Sequence, residues 1–368
     1  MAIQRLYTIL SCVFLSLHQL ASSAPVSSDE SQRLADPDYG PVPGQDPLFS
    51  SYKGKDPTFP GNLKGTIFPT GNGPPGTDDI VWQNLLAAEW LIFEFYQQGV
   101  EAFKPEDFIA AGFPNHTYDA ICEIRNNEAG HLRLFQERIS DNSLKPGACQ
   151  YRFPFYDALS YLAIATVLEI SSMAFLTGLV QTAELPSSHA AMLAIAETET
   201  RHETWALLDI WKTNPFAGPI DTIYPYPTQI LDPIRHYVVP DSCPSENPQF
   251  PNPSQNLPGL SPAIGTKSLQ PGSTITLNFT EPTNQPHFQD DQDFFATFFH
   301  GPLNISVPIN TKDWPEQSIQ VQIPELEPKG VFIMVITDTV GAPTIDNVIV
   351  GPSFLLLQPA ELGLALIV

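Results

Sequence analysis

The sequence predicts an α+β chain: a four-helix bundle, then a Pro-rich arm, then a small β-sandwich. Three observations carry this. Pro is nearly absent from four long stretches, about 78–103, 117–140, 155–183 and 187–212, whose apolar residues recur at helical spacing. Residues 213–262 then hold 12 Pro in 50 positions, more than a regular helix or central strand tolerates. Beyond them come short β-branched runs separated by Gly and Pro turns, at about 273–279, 294–299, 304–308, 318–323, 331–337 and 347–357.

The helices have start and stop signals. Thr77 or Asp78 is placed to cap the first, and Pro105 closes it. Pro114 and Asn115 precede the second, and Pro146 with Gly147 follows it. Pro186 divides the third from the fourth, with Ser187 or Ser188 as the expected cap. Four such helices with short joins suggest a bundle over 77–212, with the arm at 213–262 and the β domain at 263–368.

Residues 1–24 read as a secretory signal. Arg5 supplies the positive end, residues 6–17 form an apolar stretch too short to span a bilayer, and Ser22-Ser23-Ala24 offers small residues for cleavage. Residues 25–76, rich in Pro, Gly, Ser and Asp, read as an extended leader. Export agrees with three N-glycosylation sequons at Asn115, Asn278 and Asn304. Cys12 would leave with the signal, so Cys122, Cys149 and Cys243 remain and at most one internal disulfide forms. Cys122 with Cys149 is the first expectation; Cys149 with Cys243 stays open.

The net charge of −23, from 40 acidic and 17 basic residues, argues against nucleic-acid binding, which needs clustered Lys and Arg. At 42% hydrophobic the chain can build a core. Residues 362–368 are apolar but too short for a membrane anchor and read as a final strand or packed tail.

The sharpest signal lies in the helical block. Glu128-Ala-Gly-His131 and Glu199-Thr-Arg-His202 each place a carboxylate and an imidazole on one helix face. Each pair shares its face with apolar residues: Ile121, Ile124 and Phe135 for the first, Met192, Ile195 and Ala206 for the second. Both pairs therefore point inward, where an uncompensated charge is costly. Glu169 is the one charged residue between Asp157 and Glu184. Glu89 shares its face with Leu85, Leu86, Ile92, Phe93 and Tyr96, whereas its competitor Glu94 has Gln97 and Gln98 at helical spacing. Four carboxylates and two imidazoles facing one interior suit a pair of iron or manganese ions. Glu128 and Glu169 are expected to be shared between the ions, and Glu89, Glu199, His131 and His202 terminal. Tyr96 is a candidate catalytic residue, either a hydrogen-bond donor to a ligand or a redox partner, against an ordinary core tyrosine. Glu203, beside His202, is expected at a solvated helix position, against a role supporting a ligand.

On these residues the block resembles the ferritin-like superfamily of di-iron and di-manganese carboxylate proteins. It is most similar to the exported fungal ferritin-like family that includes stress-response and sexual-development proteins. The stretches Phe95-Tyr96-Gln97-Gln98-Gly99, Arg152-Phe153-Pro154-Phe155, Val167-Leu168-Glu169 and Glu199-Thr-Arg-His202-Glu203 carry the resemblance, with Cys243-Pro244 and Asn256-Leu257-Pro258 after the bundle. The resemblance implies a dinuclear metal site but names no substrate. An oxidoreductase consuming dioxygen or peroxide is the leading expectation. The alternatives are manganese catalase-like disproportionation of peroxide, and a non-enzymatic wall or surface protein using the bundle as a scaffold. In the last, Asp290, Asp291 and Asp293 after His287 could form a weak calcium loop, against a plain solvated turn.

Overall fold

The structure is a computed structural model and describes residues 59, 61–216, 223–248, 255–263, 266, 269–300, 303–325 and 330–357. The expected signal at 1–24, most of the leader and the tail at 362–368 lie outside the described residues.

The bundle consists of α1 (Asp79–Ala102), α3 (Thr117–Arg138), α4 (Ala158–Leu179) and α5 (Pro186–Trp205), with the short α2 (Pro105–Ala110) between the first two. α1 packs against α3, and α4 against α5. α4 is long and apolar enough to cross a membrane, yet most of it is buried inside the protein, as befits the central helix of a bundle. It starts with a capping box in which Asp157 accepts from the Ser160 N–H at 2.7 Å. Gly99 of α1 lies against Tyr161 of α4: a Cβ there would come within 2.2 Å of the tyrosine ring. The glycine therefore lets the two helices approach.

Asp78 holds the N-cap position of α1, one of the two residues expected there, but its side chain makes no bond to its own helix. Its carboxylate instead accepts from the Glu184 and Leu185 N–H groups at 2.8 and 3.1 Å, at the entry to α5. Leu185, not Ser187 or Ser188, is the N-cap of α5, and Pro186 takes the first helical position. The fourth helix also changes pitch before its expected end, with a π-helical turn over Ala206–Ile210.

The first-choice disulfide is overturned: Cys149 pairs with Cys243, and Cys122 is unpaired. Cys122 sits one turn into α3, so the remaining helix carries the chain about 24 Å away before Cys149 is reached. Cys149 instead meets the arm. Arg152 N–H donates to Tyr237 O at 2.7 Å and Val239 N–H to Gln150 O at 2.9 Å beside the disulfide. The arm carries the short α6 (Pro227–Ile230), a 3-10 helix over Asp232–Tyr237, and strand β1 (Leu260–Pro262), which three residues are too few to announce by periodicity.

The remaining strands are β2 (Thr274–Phe279), β3 (Phe294–His300), β4 (Leu303–Ile309), β5 (Gln320–Gln322), β6 (Gly330–Thr337) and β7 (Val348–Leu357). They form two antiparallel sheets, ordered β1-β2-β5 and β4-β3-β6-β7. Alternation along β6 explains how the sheets sit. Phe332, Met334 and Ile336 join Ile275, Leu277 and Val321 of the facing sheet in one core. Val331, Ile333 and Val335 point the other way, into the core that contains the bundle. The four-stranded sheet is thus covered on both faces, which is why all of β6 is buried and reads as a continuous apolar run. Tyr226 OH donating to Ala342 O, and Gly330 N–H donating to Thr213 Oγ1 at 3.0 Å, add polar ties between arm and sheet.

Candidate metal centre

Each long helix brings one carboxylate to the middle of the bundle, and the face is set by helical period. Glu89 on α1 has buried Leu85, Leu86, Ile92 and Phe93 around it. Glu128 and His131 on α3, Glu169 on α4, and Glu199 and His202 on α5 are likewise buried. The rejected alternative Glu94 pairs with Lys64 instead.

The six side chains converge as two overlapping groups: Glu89, Glu128, His131 and Glu199, and Glu128, Glu169, Glu199 and His202. Within each group the donor atoms lie within 4.8 Å of one another. His131 Nδ1 is 3.2 Å from Glu89 Oε1, 2.9 Å from Glu128 Oε2 and 3.4 Å from Glu199 Oε1. His202 Nδ1 is 3.2 Å from Glu128 Oε1, 3.2 Å from Glu169 Oε2 and 3.4 Å from Glu199 Oε2. Glu128 and Glu199 therefore each reach both imidazoles, one oxygen to each. Glu89 reaches only His131, and Glu169 only His202. This corrects the expected division: Glu199, not Glu169, is the second shared carboxylate. Spacing reveals the face of a helix, but not how residues on different helices are matched along the bundle axis.

The electrostatics follow from burial. Desolvation drives the carboxyls of Glu89 and Glu169 well above the usual carboxylate range, with further push from Glu128 on Glu89 and from Glu199 on Glu169. Glu128 and Glu199 are also desolvated, but contact with both imidazoles outweighs this and holds them below that range. Burial opposes charge on the imidazoles too, yet the carboxylates prevail. They raise His131 well above its ordinary value, and Glu169, Glu128 and Glu199 lift His202 to about 12. Without an ion the imidazoles thus hold their protons against Glu128 and Glu199, and burial favours the protonated forms of Glu89 and Glu169.

Those protons are a poor match to the oxygens. Each Nδ1 carries at most one hydrogen but faces three carboxylate oxygens. Glu89 Oε1, Glu128 Oε1 and both Glu199 oxygens are buried without a well-formed hydrogen bond. A cation can accept several of these lone pairs at once, so the oxygen and nitrogen donors fit metal ions better than they fit each other. Four helices, each giving a carboxylate, and two of them also giving a histidine three residues later, complete the pattern.

Residues 77–208 match the ferritin-like domain family. The ferritin-like domain spans all four long helices and all six donors. No curated protein matches the chain.

Around the donors of this ferritin-like domain, Tyr96 OH donates to Glu169 Oε1. Its ring is fully buried, and burial beside Glu169 keeps the phenol well above its ordinary range. Glu203 departs from expectation: it is 8% exposed, not solvated, and burial alone pushes its carboxyl to about 7. Asn127 went unnoticed in the sequence because an asparagine beside Glu128 reads as a surface residue. Its side-chain amide hydrogen-bonds His202 Nε2 at 3.0 Å, fixing the ring with Nδ1 toward the carboxylates. Of the sequon residues, Asn115 and Asn304 are exposed and Asn278 is half-buried. The described residues of the acidic turn after His287 join no potential metal group.

Proposed function

We propose that this chain is an exported protein whose ferritin-like domain holds two iron or manganese ions and consumes dioxygen or peroxide. The observation that supports it best is the pair of overlapping four-residue donor groups with Glu128 and Glu199 common to both. Glu89 and His131 would complete one metal position, Glu169 and His202 the other. When bound, such a pair supplies one-electron redox chemistry and coordination positions for an oxygen species.

The chain's own residues set the conditions for that chemistry. Leu86, Ile92, Phe93 and Phe135, all buried, exclude bulk water and keep the local dielectric low. Asn127 orients His202. Tyr96 holds a hydroxyl proton against Glu169, where the phenol can give up an electron as its proton shifts to the carboxylate. Export, glycosylation at Asn115, Asn278 and Asn304, cell-wall association and a place in stress or development belong to this reading through the signal-like N-terminus, the sequons and the fungal-family resemblance.

The test is reaction of the metal-replete protein with hydrogen peroxide in the presence and absence of a reductant. Peroxide loss that needs reductant and disappears in Glu169→Ala and His202→Ala supports an oxidoreductase. Dioxygen release without reductant would replace this reading by disproportionation. No peroxide or dioxygen consumption by the loaded protein would leave the bundle a scaffold.

A further inference from the structure

We propose that Tyr96, Tyr161 and Tyr118 form a one-electron route between the buried carboxylate–histidine cluster and the protein surface, with Cys122 one helical turn beyond its outer end. The route rests on the redox reading above, but its observations are separate from the ligand set.

The inner station is Tyr96, hydrogen-bonded to Glu169. Its ring meets that of Tyr161 edge-on, with centroids 6.5 Å apart. Tyr161 is fully buried in an aromatic shell, stacked on Phe95 at 4.6 Å and edge-on to Phe155 and Phe108 at 5.4 and 6.3 Å. Phe108 in turn lies 6.3 Å from the ring of Tyr118. Tyr118 is half-buried and donates to Val100 O at 3.1 Å, and Cys122 follows one turn further along α3. Cys122 is the unpaired cysteine among the described residues and is itself partly exposed.

Tyr161 is the residue that packing alone does not explain. Its hydroxyl is buried with no hydrogen-bond partner, a costly arrangement that a phenylalanine in the same aromatic shell would avoid. Gly99 makes room for the ring edge and the hydroxyl together, since a Cβ there would stand 2.2 Å from the ring and 2.4 Å from the oxygen. A phenol at this point bridges the gap between Tyr96 and Tyr118.

Electrons move inward. Tyr96 gives up an electron while its proton shifts to Glu169. Tyr161, lacking an acceptor, passes an electron on without resting as a radical. Tyr118 supplies that electron and loses its proton to solvent, and a small phenol at the surface restores both. Two passages deliver two electrons. With two protons from solvent, one hydrogen peroxide becomes two waters, and two phenols become two phenoxyl radicals.

The test is to mix metal-replete protein with hydrogen peroxide and a nitroso spin trap, without reductant, and to map the adducts by peptide mass spectrometry. Adducts are expected at Tyr96 and at Tyr118 or Cys122, and none in metal-free protein. Tyr161→Phe should lose the outer adducts and keep the inner one. If peroxide is consumed but outer adducts persist unchanged in Tyr161→Phe, the route is wrong and the redox reading stands. If the wild type consumes no peroxide, both fall. Should Tyr161→Phe fail to hold metal, Tyr118→Phe serves: adducts must then stop at Tyr96, and an adduct remaining at Cys122 would overturn the route.

Discussion

Glu128 and Glu199 straddle the two imidazoles of the bundle, each presenting one oxygen to His131 and the other to His202. This cross-contact ties the two halves of the site together and makes these two carboxylates unlike Glu89 and Glu169.

Unequal loss of metal follows. Glu128→Ala or Glu199→Ala removes a donor from both positions, so both ions should be lost. Glu89→Ala or Glu169→Ala weakens one position, leaving about one ion per chain of the pair expected for this class of bundle. Metal content per folded chain after gel filtration reads the difference. Equal loss in all four variants would refute the assignment of shared donors.

Metal binding should release protons. Glu89, Glu169, His131 and His202 all have values raised in the folded protein, so each holds its proton to a higher pH than it would in water. Ligation needs the deprotonated forms, so metal loading should expel protons, and apparent affinity should climb with pH. Calorimetric titration in two buffers of different ionisation enthalpy counts those protons. A heat independent of the buffer would contradict the charge balance.

Acid stability should depend on Asp79. Its buried carboxylate accepts from the N–H groups of Gly76 and Ser140 and from the hydroxyls of Ser140 and Ser143, joining the start of α1 to the end of α3. Burial raises this carboxyl, but those hydrogen bonds outweigh it and the net value is lowered. A lowered folded value gives stability that is present above the unfolded value, near 3.8, and lost as pH falls through the folded one. Asp79→Asn should cost about 1–3 kcal/mol at pH 7 and flatten the loss of stability below pH 4. Denaturant midpoints at pH 7 and pH 3 check both parts.

The β region should unfold with the bundle. Ile333 is fully buried between the sheet and the helices, whereas its neighbour Phe332 faces the other sheet. Ile333→Ala should cost about 2–5 kcal/mol and lower the melting of helical and near-ultraviolet signals together. A helical transition unmoved by the substitution would show that the sheet is only an appended layer.

Much of the ferritin-like domain was readable because helical period ties inward direction to residue type. Glu169 stands alone in an apolar run, and Glu89 shares a stripe with leucines, so burial of both followed from spacing. Pairing across distance was not readable. Nothing local distinguishes Cys243 from Cys122 as the partner of Cys149, nor sends the Asp78 carboxylate to α5 instead of α1. The same limit hid the shared role of Glu199 and the contact of Asn127 with His202, which depend on how neighbouring helices are matched along the axis. Burial of Glu203 is likewise not legible locally, since it depends on what packs over the last turns of α5.

The most direct test of the proposed dinuclear centre is titration of the metal-free protein with manganese(II), followed by electron paramagnetic resonance. Saturation at about two ions per chain, with the spectrum of a magnetically coupled pair, is the predicted result. Saturation at a single ion, or the spectrum of isolated manganese at every loading, would contradict it.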